Sequence, residues 1–177
     1  MYDIIGDIHG YCTKLRGLLK EMRYEEKNGV WKHPERKAIF VGDYIDRGPE
    51  IRETLHLVRN MVEADTAIAL MGNHEYNALA YHTQDGNGGY LRKHIPNKTH
   101  QHSATLAQFY FYRDEWDSFL SWFRQLPIYY ENKHLRCVHA SWDQEHINWL
   151  KENKYNAMTD EFLFDSQIKK SPAYWVI

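Results

Sequence analysis

The stretch YDIIGDIHG, residues 2–10, decides how the rest of the chain reads. An apolar run, Tyr2 to Ile5, ends abruptly at Gly6. Then an aspartate and a histidine, Asp7 and His9, stand one residue apart between two glycines. A strand that ends on metal- or proton-handling side chains is the expectation, with the glycines letting the backbone turn sharply. Two later runs end the same way. Ala38 to Val41 leads into Gly42-Asp43, and Thr66 to Met71 leads into Gly72-Asn73.

Between these runs the periodicity changes. Leu15, Leu18, Leu19 and Met22 recur at helical spacing, as do Ile51, Leu55, Val58, Met61 and Val62. The order β-α-β-α-β predicts an α/β fold built on a mainly parallel sheet. Ligands of such sheets bind beyond the carboxyl ends of the strands, so Asp7, His9, Asp43 and Asn73 should converge on one edge. A hairpin is predicted from Ile128 through the Glu131-Asn132-Lys133 turn to Val138, and its second strand would bring His139 to the same place. Helices are expected over His74–Tyr81, Leu106–Tyr112, Trp116–Leu126, Gln144–Asn153 and Asp160–Lys169, with a loop at 85–89.

Composition narrows the function classes. The 177 residues carry 22 basic and 24 acidic side chains, a net charge of −2, which excludes general nucleic-acid or anionic-membrane binding as a default. One domain over 1–177 is expected, with no repeat and no linker. No apolar run approaches the ~18 residues of a membrane helix, and the N-terminus lacks a basic n-region. The two cysteines, Cys12 and Cys137, offer no disulfide framework, so a cytoplasmic location is expected. The 11 histidines, with hard oxygen donors beside them, suit Mn²⁺, Fe²⁺ or Zn²⁺.

GDIHG at 6–10, GDYIDRG at 42–48, GNHE at 72–75 and VHA at 138–140 resemble the ordered signature of the calcineurin-like metallophosphoesterases. The likeness is greatest to the branch of serine/threonine protein phosphatases and symmetrical diadenosine tetraphosphate hydrolases, and it covers about residues 1–142. It implies a β-sandwich flanked by helices and two divalent metal ions, Mn²⁺ expected, with Fe²⁺/Fe³⁺ or Zn²⁺ as alternatives. Asp7 and His9 would hold one metal, Asn73 and His139 the other, and Asp43 would bridge them. A metal-bridging hydroxide would then attack phosphorus in line. His74 would protonate the leaving oxygen, oriented by Asp46, and Arg47 would hold non-bridging phosphate oxygens. The substrate would be a phosphorylated small molecule, a nucleotide or a protein.

Simpler readings stand beside these. Taken singly, Asp7, Asp43 and Asn73 could cap the helices that follow, and Asp46 with Arg47 could be a structural ion pair. Residues 89–94, with Lys98, His100 and His102, read as a basic, aromatic cap over the site or as a solvated loop. Two departures from the resemblance matter. Met71 replaces an arginine frequent in the protein phosphatases. No Gly-His pair follows His139, where the family usually places a further metal-binding histidine; only His146 does. The second sheet is therefore expected to be incomplete, its apolar surface covered by homo-oligomerisation or by the residues after 142. A weakly active or non-catalytic metal- and phosphate-binding protein is the alternative to an enzyme.

Overall fold

The computed structural model describes residues 1–176. Strands β1 (Tyr2–Ile5), β4 (Lys37–Phe40) and β5 (Ala67–Ala69) form a three-stranded sheet in the order β1-β4-β5. Both pairings are parallel, with Tyr2 opposite Lys37 and Ala38 opposite Ala67. Helix α1 (Cys12–Glu21) and helix α2 (Ile51–Glu63) make the crossovers. Of the stripe anticipated in the first, Leu15 and Leu19 are buried while Leu18 is exposed; the second buries Ile51, Leu55, Val58 and Met61.

A short hairpin, β2 (Glu25–Lys27) and β3 (Val30–Lys32), interrupts the first crossover. Its turn is Asn28-Gly29, both at positive φ, 55° and 77°. That dipeptide suits a two-residue hairpin because both central residues must enter the left-handed region. The sequence reading did not include this hairpin.

Beyond β5 the chain is helical: α3 (Asn73–His82), α4 (Pro96–Gln108) and α5 (Arg113–Phe123). The helix expected over Leu106–Tyr112 is displaced upstream. Pro96 occupies the first turn of α4, where its missing N–H costs nothing, and the helix stops at Gln108. The aromatic run that suggested otherwise divides its roles, since Phe109 is buried whereas Phe111 is 87% exposed. Strands β6 (Tyr129–Glu131) and β7 (Arg136–Val138) form the anticipated antiparallel hairpin. Helices α6 (Gln144–Glu152), α7 (Asp160–Asp165) and α8 (Pro172–Val176) follow; α7 ends earlier than its sequence suggested.

The sheets remain small and open. One face of the parallel sheet joins the main core, with Phe40, Leu55, Phe119, Phe123 and Phe162. The other carries a smaller cluster of Ile39, Leu70 and Cys137, covered by Tyr130 and Leu135 of the β6–β7 region. Ile147, Leu150, Met158, Phe162 and Leu163 are buried in the main core, so residues after 142 cover part of the apolar surface, as one of the two expected alternatives required. Among the described residues, no helix is long and apolar enough to cross a membrane.

Candidate metal centre

The loops after β1, β4 and β5 are locked together by backbone contacts before any side chain is considered. Asp43 carbonyl accepts the N–H groups of Ile8 (3.0 Å) and His9 (2.9 Å), and Gly48 N–H bonds the His9 carbonyl (2.9 Å). The loop after β4 passes the loop after β5 so closely that a Cβ on Gly42 would meet the Gly72 Cα at 2.4 Å. Only glycine fits at this crossing, and Gly42 also sits at φ 112°. His9, Asp43, Asp46 and Arg47 all hold positive φ, an unfavoured conformation for non-glycine residues that clusters here around one centre.

Asp43 is the hub. It is 3% exposed, and its two carboxylate oxygens face three imidazoles. Oδ2 lies 3.7 Å from His9 Nε2 and 3.8 Å from His74 Nε2, while Oδ1 lies 3.6 Å from His139 Nε2. Asp7 reaches in from the exposed side, its Oδ2 3.8 Å from His9 Nε2. Two three-donor sets result, His9-Asp43-His74 and Asp7-Asp43-His139, each with ligand atoms within 4.8 Å of one another and sharing Asp43. Asn73 stands at the first position of α3, exposed, on the wall of the adjoining cavity.

The histidine tautomers follow from their other bonds. His9 Nδ1 lies 2.9 Å from the Ile45 carbonyl and His139 Nδ1 lies 2.8 Å from the Val41 carbonyl. A carbonyl only accepts, so each Nδ1 carries the hydrogen and each Nε2 presents a lone pair. His9 Nε2 is buried without a hydrogen-bond partner, facing carboxylate oxygens that are also acceptors. Acceptors facing acceptors in a buried gap are unfavourable until a cation stands between them. Histidine ligands also commonly donate their second N–H to a backbone carbonyl. The donor set fits divalent cations.

Neither Asp7, Asp43 nor Asn73 caps the helix that follows it. The N-caps of α1, α2 and α3 are Tyr11, Glu50 and Gly72. Asp43 Oδ1 instead accepts the His74 backbone N–H across the site, at 3.0 Å.

His74 Nδ1 bonds Asp46 Oδ2 at 2.6 Å, which turns Nε2 toward the centre. Burial lowers the His74 pKa, but the Asp46 bond and the Asp43 charge outweigh it, and the net direction is upward. Burial likewise opposes ionisation of Asp46, yet hydrogen bonds from His102 and His74 hold it well below the usual carboxylate range. Arg47 is exposed, lines the cavity and pairs with no carboxylate among the described residues, so the structural Asp46–Arg47 ion pair is not formed.

Three residues of the site escaped the sequence reading or were undervalued there. His102 Nδ1 lies 2.8 Å from Asp46 Oδ1, and Thr105 Oγ1 donates to the same oxygen at 2.6 Å. They share a face of α4 at i, i+3, which spacing alone permits. Their target lies 56 and 59 residues away, beyond local periodicity. Glu75, expected only to support its neighbours, is wholly buried and gathers four backbone N–H groups. Oε1 accepts from Tyr44 (2.8 Å) and Ile45 (3.3 Å), and Oε2 from Asp43 (3.0 Å) and Gly72 (3.2 Å). Burial, then the Asp43 charge, pushes its carboxyl up to about 8, against the N–H groups of Tyr44 and Ile45 and the His74 charge.

Behind His102 sits His82, whose Nε2 accepts the Trp116 indole N–H at 3.1 Å. Burial, then His102 and His94, pulls the His82 pKa down to about 4 from 6.5. The unfolded chain therefore takes up that proton first as pH falls. Stability is full above pH 6.5 and is lost toward pH 4. After allowance for its partial exposure, the loss attributable to His82 is roughly 2 kcal/mol. Urea titrations of the His82→Gln variant should be flatter than those of the native chain between pH 6.5 and 4. Parallel curves would remove His82 from the acid response.

A family model described as calcineurin-like phosphoesterase matches residues 2–177. Over 74 residues the chain is 45% identical to the bis(5'-nucleosyl)-tetraphosphatase PrpE [asymmetrical] of Halalkalibacterium halodurans, covering 41% of this chain and 30% of that protein. Over 182 residues it is 29% identical to the symmetrical bis(5'-nucleosyl)-tetraphosphatase of a Marinomonas species, covering 97% of this chain and 58% of that protein. The chain thus spans less than two thirds of the length of either. In fold it is similar to the cold-active protein-tyrosine phosphatase of a psychrophilic Shewanella, with a TM-score of 0.55 at 21% identity, over 95% of this chain and 48% of that one. With the four motifs at strand ends and the family match running over nearly the whole chain, this protein belongs to the calcineurin-like phosphoesterase family.

Proposed function

We propose that this chain is a metal-dependent phosphoesterase that hydrolyses phosphate esters or phosphoanhydrides, with nucleotides of the dinucleoside polyphosphate type as the leading substrate class. The observation that carries the reading is the set of unpaired Nε2 lone pairs of His9 and His139 turned toward the shared Asp43 carboxylate, beside the His74–Asp46 pair. Asp7, His9, Asp43, Asn73 and His139 would hold two divalent cations, with Mn²⁺ the expected metal for this mixed oxygen and imidazole set. Bound there, the cations neutralise phosphate charge and make coordinated water acidic enough to react near neutral pH.

The remaining steps belong to side chains. Arg47, exposed at the cavity wall, binds non-bridging phosphate oxygens through its guanidinium fork. His74 keeps one proton on Nδ1 against Asp46 and carries a second on Nε2, which it delivers to the departing oxygen. His102 and Thr105 hold Asp46 so that the His74 ring cannot turn away.

The test joins elemental analysis with Mn²⁺-dependent hydrolysis of p-nitrophenyl phosphate and of an alkyl phosphate. Turnover should depend on added Mn²⁺. His74→Asn should slow the alkyl ester, a poor leaving group, by ~10²–10⁴-fold while metal content is unchanged. Metal-independent turnover, or none with metal bound, would overturn the reading in favour of a binding protein.

A further inference from the structure

A cavity of about 710 Å³ opens beside the candidate metal centre, and its wall is cationic. Arg47, Arg92 and Lys98 line it, and none of the three forms an ion pair among the described residues. The only carboxylate in the wall is Asp46, and its oxygens are already taken by His74, His102 and Thr105. In a chain of net charge −2, three unpaired cations around one space is a local concentration of charge that a single tetrahedral anion does not require.

Arg92 is the most informative of them. Its guanidinium donates from Nη1 to Asn77 Oδ1 and from Nη2 to Gln101 Oε1, each at 2.8 Å. Its own backbone N–H bonds the Ala80 carbonyl (2.8 Å), and that of Leu91 bonds the Thr83 carbonyl (3.0 Å). The fork is therefore held from α3 and α4 at once, half-buried, by neutral dipoles. Burial pushes its pKa down, only partly offset by the more distant Asp46 charge. A desolvated cation preorganised by amide carbonyls lacks the anion that would complete its bonding.

We propose that Arg92, with Lys98, forms an anion subsite for a phosphate group adjacent to the one that reacts, so that the favoured ligand is a chain of two or more phosphates. This rests on the phosphoesterase reading above, in which Arg47 and His74 attend the reacting phosphate on the same cavity wall. The cavity volume lies within the range of small-molecule sites, with room for more than one phosphate.

Binding to the full chain in EDTA tests this without turnover, using calorimetry with inorganic phosphate, tripolyphosphate and ATP. Tripolyphosphate should bind at least ~10-fold more tightly than phosphate, and Arg92→Gln should remove ~10–100-fold of its affinity, the range for a charge-assisted fork. Loss for tripolyphosphate and ATP alike supports a subsite that reads the phosphate chain. Equal binding of phosphate and tripolyphosphate by the native chain, or an Arg92→Gln variant that binds tripolyphosphate like the native chain, overturns it. Should Arg92→Gln fail to fold, Lys98→Gln serves, with a several-fold loss expected and no loss counting against the subsite. A chain that binds tripolyphosphate through Arg92 yet never turns over would remove the hydrolase reading and leave the subsite standing.

Discussion

Asp43→Asn is expected to empty the site and stop turnover together while the fold survives. Its two carboxylate oxygens lie 3.7 Å from His9 Nε2 and 3.6 Å from His139 Nε2, one histidine in each of the two donor sets. One substitution therefore weakens both sets, and a fall of ~10³-fold or more in turnover follows from the loss of about 4 kcal/mol of transition-state stabilisation. Asparagine is the right replacement because Asp43 sits at φ 48°, a conformation that asparagine tolerates. It also removes a buried negative charge that stands beside Asp7 and disfavours ionisation of Glu75, so the metal-free variant should melt no lower than the metal-free native chain. Elemental analysis and thermal denaturation check both halves. Full metal content in the variant would sink the shared-ligand role.

Glu75→Ala is expected to do the opposite, damaging the fold before the chemistry. Its carboxylate takes the N–H groups of Gly72, Asp43, Tyr44 and Ile45, which belong to two different loops. Removing it leaves four buried donors unpaired, at about 1–3 kcal/mol each before relaxation. Water entry and the loss of a carboxyl beside Asp43 reduce the sum, leaving a net loss of roughly 3–5 kcal/mol. In a chain of this size that corresponds to a fall of roughly 10 °C in Tm. Glu75→Gln should fall between, since the amide keeps one acceptor but sets an NH₂ group against two N–H donors. A Glu75→Ala variant that melts within 2 °C of the native chain would show that the loops hold each other without it.

Asp43 was identifiable as a site residue because its motif follows an apolar run and its neighbours repeat the pattern at two other strand ends. Glu75, in the same motif as Asn73 and His74, gave no sign of all the N–H groups it collects, because three of the four bonds reach from residue 75 back to 43–45 and only the one from Gly72 is local. The β2–β3 hairpin was legible in Asn28-Gly29, a two-residue signal easily passed over between longer runs. The displaced α4 shows the reverse error. Aromatic spacing over 106–112 resembled a helix, but Pro96 supplied a stronger start 10 residues upstream, and exposed Phe111 was not part of a buried stripe.

The β-α-β-α-β order, the strand ends on which Asp7, His9, Asp43 and Asn73 stand, and the type of donor offered there were all legible in the amino-acid sequence. These depend on local quantities: the length of an apolar run, a period of 3.6, a glycine where the chain must turn. Which oxygen faces which nitrogen, the sharing of Asp46 by His74 and His102, and the lack of an anion beside Arg92 at the cavity wall emerge from the folded chain alone. Those facts depend on the close crossing of loops at Gly42 and Gly72 and on contacts between residues tens of positions apart, distances over which side-chain periodicity carries no information.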